Sequence, residues 1–253
     1  MEYIRLGKTD LLASRTGFGA MKLDKSGDQD NVALLIRKAY DGGVNFFDTA
    51  RWSAESEELL GHAIHPVRQN VALATKTRAE TGAELIAAVD ESLVALHTDW
   101  IELYQLEVDL LVPEDKGSDG IYQAFLSLKA EGKIKHFGIV TEDVTIARRA
   151  VKSGLYETVQ VPFNVLSGNE SVELVQLCNV MDVGFIAMQP LCGGVLSNIP
   201  VAFGYVRQFE NVVPVWGART QEELAQILHF SRHPPVMDEQ LQAEVEMLRA
   251  FFN

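Results

Sequence analysis

Cysteine is scarce in this chain of 253 residues. Cys178 and Cys192 are the only two, they lie in different segments, and they lack the C-x-x-C spacing of a thiolate metal site. The sequence therefore predicts neither a disulfide framework nor a cysteine metal site. Both cysteines are expected to pack as small apolar residues.

Long apolar runs are missing as well. No stretch approaches the roughly 18 apolar residues of a membrane span. The first residues, MEYIR, contain no apolar core of signal-peptide length. We therefore expect no membrane attachment, and a cytoplasmic location is the default expectation.

Positive charge is in deficit. The chain has 22 Lys and Arg residues against 35 Asp and Glu residues, which gives a formal net charge of −13. Binding to nucleic acid or to an anionic membrane requires a basic face, and no cluster of Lys and Arg provides one. The acidic surplus indicates no macromolecular partner, so a small-molecule substrate is the expected partner. Nothing in the sequence specifies an oligomeric state.

Apolar residues, by contrast, are abundant. They make up 47% of the chain and charged residues 23%, which is typical of a chain that is globular throughout. Runs typical of β-strands alternate with amphipathic segments and with short Gly, Pro or Asp punctuation, as in parallel βα units. Eight candidate strands occur, at residues 16–19, 44–48, 71–75, 100–106, 134–140, 158–162, 184–188 and 212–215.

The segments between these strands have the length of crossover helices and apolar residues near the 3.6-residue period. They cover residues 31–40, 56–64, 81–96, 121–130, 146–151, 171–181 and 221–230, and a further helix is predicted at 238–251. Residues 3–6 and 11–14 predict a hairpin before the first strand. Because eight strand–helix units need about 250 residues, the sequence predicts one domain over residues 1–253. The predicted fold is α/β, a (β/α)₈ TIM barrel with an N-terminal β-hairpin.

Ordered motifs run along the whole chain. Residues 45–50 read NFFDTA, and residues 56–61 read SEELLG at the start of a predicted helix. The others are YIRLGKT at 3–9, ATKT at 74–77, LYQ at 103–105, GKIKHFGI at 132–139, VQVPFN at 159–164 and PLCGG at 190–194. Together they resemble the aldo-keto reductase superfamily. The resemblance implies an NAD(P)-dependent oxidoreductase that acts on a carbonyl or enone of a small molecule.

The last part of the chain is most similar to the bacterial and archaeal branch of that superfamily. The segments that carry this likeness are VPVWG at residues 213–217 and EEL at 222–224. Members of the branch often carry a C-terminal cysteine-rich iron–sulfur extension. The cysteines of such an extension are not in this chain, so no iron–sulfur cluster is expected.

The resemblance also implies a catalytic set, and here it is atypical. In the superfamily, NAD(P)H transfers a hydride to a carbonyl carbon while a Tyr donates a proton to the oxygen, an Asp and a Lys tune the Tyr, and a His orients the carbonyl. The Asp and Lys positions fall on Asp48 and Lys76. The Tyr position is Ser53 and the His position is Glu107. A serine hydroxyl is far less acidic and shorter than a phenol, so the usual proton donor is missing.

Glu107 is the candidate replacement for that donor. Steroid double-bond reductases of the superfamily also carry a Glu at this position, where it can stay protonated. Strand ends of a barrel converge, so Asp48, Lys76 and Glu107 are expected to meet, and burial can tune such groups for acid/base work. The alternative interpretation is an ion pair that only holds the barrel together. The expected substrate pocket consists of Arg51, Trp52 and Met188.

The predicted cofactor is NADP or NAD, with contacts that are only partly preserved. Gln160 matches a contact to the nicotinamide carboxamide, Val140 and Thr141 replace its usual Ser/Thr–Asn companions, and Met188 replaces a stacking aromatic residue. Phosphates are expected on the loops after the seventh and eighth strands and on a helix N-terminus. The candidates there are Leu191, Gly193, Gly217, Arg219 and Thr220. Ile227 stands where the superfamily has an Asn.

No metal site is expected. The six histidines do not gather at the carboxyl ends of the predicted strands, so packing or surface positions are their expected roles. The acidic loop that contains Glu114, Asp115 and Asp119 is expected to be solvated rather than to bind a cation.

Three functional hypotheses follow. The first is an NAD(P)-dependent carbonyl or enone reductase in which Glu107 supplies the proton. The second is a non-redox acid/base enzyme, namely an isomerase, a lyase or dehydratase, or a cyclase, that uses Asp48, Lys76 and Glu107 without hydride transfer. The third is a catalytically silent binding or scaffold protein. The resemblance along the whole chain favours the first hypothesis.

Overall fold

Eight parallel strands close into a barrel in the computed structural model, which describes residues 1–196 and 198–252 apart from the side chain of residue 24. An antiparallel hairpin of β1 (Tyr3–Arg5) and β2 (Leu12–Ser14) precedes the barrel. The barrel strands are β3 (Gly17–Gly19), β4 (Phe46–Asp48), β5 (Ala72–Thr77), β6 (Ile101–Glu107), β7 (Ile134–Val140), β8 (Thr158–Pro162), β9 (Gly184–Met188) and β10 (Val212–Gly217). Parallel pairing of β10 with β3 closes the ring.

Helices follow the strands and form the outer layer. In the described part of the chain they are α1 (Gln29–Asp41), α2 (Ala54–Ile64), α3 (Gly82–Ala95), α4 (Ile121–Ala130), α5 (Val144–Ser153), α6 (Asn169–Val180), α7 (Ile199–Arg207), α8 (Gln221–Arg232) and α9 (Glu239–Phe252). The predicted (β/α)₈ barrel with an N-terminal hairpin is confirmed. None of these helices is long and apolar enough to cross a membrane.

Helix α7 is the one crossover helix that the sequence pattern does not predict. Its residues 201–206 are all buried, so its apolar positions surround the helix instead of forming one stripe. Pro200 at its first turn is compatible with a helix start, because a first-turn N–H has no partner within the helix. Gly204 permits close packing, since a Cβ there would lie 2.8 Å from Met237 Sδ.

The interior of the barrel changes character along its axis. At the end where the strands begin, an apolar cluster fills the interior, and it includes Phe46, Leu103 and Ile186. The hairpin belongs to this cluster through Leu6, and a Cβ on Gly184 would lie only 2.7 Å from Leu6 Cγ. The opposite end, where the strands end, is here called the mouth, and its interior is polar. The hairpin therefore seals one end of the barrel, and the active sites of such barrels lie at the end called the mouth here.

A buried histidine joins the hairpin loop to the barrel. His136 on β7 contacts Asp10 Oδ1 through Nε2 at 2.6 Å and Glu157 Oε1 through Nδ1 at 2.9 Å. Burial lowers the pKa of His136, but the hydrogen bonds to Glu157 and Asp10 outweigh this and raise it above its ordinary value. The protonated ring donates to both carboxylates, so the charged form holds the loop and the strand together.

We expect His136→Gln to destabilise the fold in a pH-dependent way. A raised pKa gives a contribution that is complete below the unfolded value of about 6.5 and is lost as the pH rises through the folded value. The variant should lose about 2 kcal/mol of unfolding free energy at about pH 6, and the loss should shrink by about pH 9. Urea unfolding at both pH values measures it, with His233→Gln as the control. A loss that grows with pH would contradict the charged bridge.

Candidate active site

A buried ion pair lies at the mouth. Asp48 ends β4, and Lys76 lies one residue before the end of β5. Lys76 Nζ donates to Asp48 Oδ2 at 2.7 Å and to the carbonyl oxygen of Thr49 at 2.8 Å. Each of the two residues is only 2% exposed. The expected meeting of these two side chains is what the structure shows.

A chain of amides continues from this pair across the barrel. Gln160 on β8 donates to Asp48 Oδ2 at 3.1 Å and accepts from Gln105 Nε2 on β6 at 2.6 Å. These residues come from β4, β6 and β8, because alternate strands supply one interior layer of such a barrel. Asp48 Oδ1 is buried and has no hydrogen-bond partner in the described structure. One carboxylate oxygen of the pair is therefore left for another donor.

Glu107 does not join the ion pair, contrary to expectation. Its carboxylate oxygen Oε1 accepts two hydrogen bonds from the guanidinium of Arg78, one of them from Nε at 2.9 Å. The reason is register: Thr77 pairs with Leu106, so the next residues, Arg78 and Glu107, come level. The hydrogen bond and the charge of Glu107 raise the pKa of Arg78. Glu107 therefore pairs with Arg78 rather than with Lys76.

Ser53 also points elsewhere. Its hydroxyl donates to the carbonyl oxygen of Met21 at 2.9 Å, which ties the loop after β4 to the loop after β3. Among the described hydrogen bonds, none joins Ser53 to Asp48 or Lys76. The Ser53 hydroxyl is therefore a loop contact in this structure.

The two other loop residues predicted for the substrate pocket, Arg51 and Trp52, have different surroundings. Arg51 pairs with Glu57, at 2.5 Å, and with Glu91, at 3.7 Å. The physical cause is that Glu57 is completely buried, which raises its pKa, and a guanidinium compensates its charge. Trp52 is 45% exposed and has the guanidinium of Arg78 5.3 Å from its ring centroid. Trp52 therefore stays a predicted pocket residue.

Two of the predicted cofactor contacts are engaged within the protein. Thr141 is 1% exposed, and its hydroxyl oxygen accepts the backbone N–H of Asp143. Gln160 is also 1% exposed, with its amide bonded at both ends as described above. Met188 is half-buried at the end of β9, next to Pro162.

The predicted phosphate loops lie at the mouth. After β9, Gly193 and Gly194 have φ values of 71° and 102°, and a Cβ on either would meet nothing within 4 Å. The half-buried Leu191 precedes them. After β10, Gly217 is exposed and Thr220 caps α8 by accepting the backbone N–H of Glu223.

Arg219, in the same loop as Thr220, is not a free cation. Its guanidinium lies 3.4 Å from Glu223 Oε1, and its backbone N–H donates to Glu223 Oε2 at 2.7 Å.

The histidines do not meet at the mouth, in agreement with the sequence, but two of them meet elsewhere. His62 near the end of α2 and His97 before β6 lie with their Nε2 atoms 3.1 Å apart. The sequence does not predict this contact, because 35 residues divide His62 from His97 along the chain.

Arg78 and Gln105 are the site residues that the sequence analysis missed. The signal was the two-residue alternation of strands. Arg78 follows Lys76 by two positions and Gln105 precedes Glu107 by two, so each shares a face with a residue already singled out. Motif resemblance does not highlight them, because it selects positions that match the family rather than positions that face the same side.

We expect Lys76→Met to destabilise the chain strongly. Without the ammonium, Asp48 is a buried carboxylate supported only by Gln160, and breaking a buried pair in this way costs about 3–5 kcal/mol. The double variant Asp48→Asn/Lys76→Met removes both charges while Asn still accepts from Gln160, so it should recover much of that loss. Urea unfolding of the three proteins measures both effects. A double variant that is less stable than Lys76→Met would refute the argument.

Comparison with known proteins gives a consistent result. The model of the Aldo/keto reductase family matches residues 15–202. The uncharacterized oxidoreductase YqkF of Bacillus subtilis is 30% identical over 212 residues, covering 78% of this chain and 67% of the relative. The probable aldo-keto reductase 1 of Glycine max is 29% identical over 223 residues, covering 78% and 63%. The chain thus spans about two thirds of these relatives' length.

The fold has a close counterpart among solved structures. The holo form of aldo-keto reductase AKR11C1 from Bacillus halodurans superposes with a TM-score of 0.84, at 23% identity, over 98% of this chain and 96% of that one. At this identity the likeness concerns the fold. The family model covers most of the chain, and the sequence relatives agree with it. The chain therefore belongs to the aldo/keto reductase family of oxidoreductases.

Proposed function

We propose that this chain is an NAD(P)H-dependent reductase that acts on a carbonyl or enone of a small molecule. The observation that carries the proposal is the buried pair of Asp48 and Lys76 at the mouth of a closed barrel. A buried ammonium next to a reacting oxygen stabilises the negative charge that develops there during reduction. The buried, unpartnered Asp48 Oδ1 indicates that this layer is completed by a bound group.

Several features of the mouth fit a nicotinamide dinucleotide. A hydroxyl of the nicotinamide ribose would satisfy Asp48 Oδ1, and the open space above Gly193 and Gly194 suits a pyrophosphate. The bound cofactor would supply the hydride.

Gln160 can still take part in holding the nicotinamide. Its amide group has two N–H donors and two acceptor lone pairs, and the bonds to Asp48 and Gln105 use one of each. One donor and one acceptor therefore remain for a carboxamide. Since Thr141 is engaged with Asp143, Gln160 is the amide contact we propose for this end of the cofactor.

The proton at the substrate oxygen is assigned to Lys76. Ser53 is bonded to the Met21 carbonyl, and Glu107 is held by Arg78. An ammonium has three N–H donors, and Asp48 and Thr49 accept two of them, so one remains for the carbonyl oxygen or for a water between them. Asp48 keeps the ammonium in place, and this replaces the first hypothesis in which Glu107 was the donor.

The exposed groups at the rim suit a substrate with a flat or anionic part. Trp52 offers a partly exposed aromatic ring, and Arg78 lies over that ring while it pairs with Glu107. The Arg78 side chain is 66% exposed, so it has donors directed to solvent besides those on Glu107. These two residues are the substrate contacts that we propose.

We expect NADH or NADPH to bind, and Gly193→Asp to weaken the binding. An Asp tolerates the left-handed conformation and places a negative charge where the pyrophosphate would lie, so the Kd should rise by about 10-fold or more. Gly132→Asp is the matched control, because Gly132 has a φ of 78° and equally open surroundings at the other end of the barrel. The fluorescence of the reduced nicotinamide and the melting temperature of the protein measure binding. The decrease in the absorbance of the reduced nicotinamide after addition of an aldehyde, ketone or enone measures reduction.

The proposal fails if neither dinucleotide binds at about 1 mM, the upper end of ordinary KM values. It also fails if a substrate is converted without oxidation of a bound dinucleotide, since that result identifies a non-redox acid/base enzyme. Equal weakening by the two Asp variants would place the phosphate site elsewhere.

We further expect NADH to bind more tightly than NADPH. Glu222 and Glu223 occupy the first turn of α8. Hydrogen bonds from the backbone N–H of Glu222 and from Thr220 lower the pKa of the Glu222 carboxyl. The negative charges of both side chains therefore oppose binding of a 2′-phosphate. Glu223→Gln should release Arg219 and improve NADPH binding several-fold without changing NADH binding, because Gln still bonds the Arg219 N–H. Glu246→Gln on α9 removes the same charge and serves as the control. If the affinity for NADPH is unchanged, the charge argument is wrong.

A further inference from the structure

Three metal-ligating side chains meet at the end of the barrel opposite the mouth. Glu58 and His62 lie four residues apart on α2, and His97 lies in the turn between α3 and β6. One ligand atom from each of the three side chains lies within 4.8 Å of the other two. All three residues are exposed, so an ion has access and water can complete its coordination.

The separation of the two imidazoles matches a shared metal ion. Their Nε2 atoms are 3.1 Å apart. Two nitrogens bound to one Zn²⁺ at about 2.05 Å are about 3.3 Å apart at a tetrahedral angle and about 2.9 Å apart at a right angle. The observed distance lies between these values. The four-residue spacing of Glu58 and His62 places the carboxylate on the same helix face as its imidazole.

The backbone holds the two histidines in this position. A Cβ on Gly61 would lie 2.6 Å from the carbonyl carbon of Leu96, so α2 and the end of α3 touch directly at these residues. His62 follows Gly61 in the chain and His97 follows Leu96, so both histidines lie next to this contact. The spacing between their Cα atoms is therefore fixed by backbone packing and not by two long side chains.

The backbone conformation of His97 is unusual for a residue other than glycine. Its φ is 50°, and its N–H and that of Thr98 bond back to the carbonyl oxygens of Val94 and Leu93. This is the turn that ends a helix, and glycine is the residue that adopts it at lowest cost. A histidine at such a position accepts strain and gains an imidazole directed at His62.

We propose that Glu58, His62 and His97 form a binding site for Zn²⁺ or another divalent transition metal that prefers imidazole ligands. Two imidazoles and a carboxylate are a donor set that such ions favour, with water in the remaining positions. The bound ion would fasten α2 to the turn before β6. The inference does not depend on the proposed function, because the site lies at the other end of the barrel.

The test is a Zn²⁺ titration of the full chain after removal of metal by a chelator. Isothermal titration calorimetry should detect one site in the wild type, and saturating Zn²⁺ should raise the melting temperature by several degrees. His62→Ala and His97→Gly should each weaken that site by about 100-fold, since each removes one of two imidazole ligands. Glu58→Gln should weaken it less.

Two controls make the test specific. His65→Ala removes an exposed histidine at the end of α2 outside the cluster, and the double variant His229→Ala/His233→Ala removes another close pair, whose rings lie 4.9 Å apart. Neither control should change the affinity of the site.

His97→Gly provides a second, opposite readout. In chelator, this variant should melt at a higher temperature than the wild type because glycine relieves the left-handed strain. It should also lose the increase that Zn²⁺ gives, and so it separates loss of a ligand from loss of folding. The proposal is overturned if the wild type does not bind Zn²⁺ at about 100 µM, or if His97→Gly binds it as tightly as the wild type.

Discussion

A lysine ammonium and an aspartate carboxylate buried together inside a barrel are the constraint on which the mouth depends. Neither charge is stable there alone, since an unpaired ion in the interior costs several kcal/mol. Each must therefore be surrounded by groups that satisfy it, and this requirement explains the two glutamines that extend across the interior from β6 and β8. Alternate strands supply the layer because their side chains point inward at the same height.

The need to pair each charge also determines which acid pairs with which base near the mouth. Lys76 pairs with Asp48, so Glu107 pairs with a different cation. The register of β5 and β6 brings Arg78 next to Glu107. Glu57, buried behind the barrel wall, takes Arg51. Three acid–base pairs thus lie on neighbouring elements, namely Asp48 with Lys76, Glu107 with Arg78 and Glu57 with Arg51. Only one of them, Asp48 with Lys76, is buried inside the barrel where a reacting oxygen would sit.

The sequence allowed the architecture to be predicted because it depends on periodicity and punctuation. Eight strand-like runs and their helices appear in the pattern, and only α7, apolar all round, escaped it. The ends of the strands also placed Asp48 and Lys76 correctly. The partner of Glu107 could not be predicted, because it depends on the register between β5 and β6, which pairs Thr77 with Leu106 and so brings Arg78 level with Glu107. The same limit hid the contact of His62 with His97, which follows from the close approach of two helices at Gly61.

The hairpin that seals the barrel has a consequence for how the interior communicates with its surroundings. Leu6 and the apolar cluster around it fill the end where the strands begin. The interior is therefore closed at this end and does not form a channel through the barrel. Water and protons that reach Lys76 have to arrive from the mouth, on the side where ligands also enter. A ligand seated there would cover Lys76 on the side from which the barrel interior is reached.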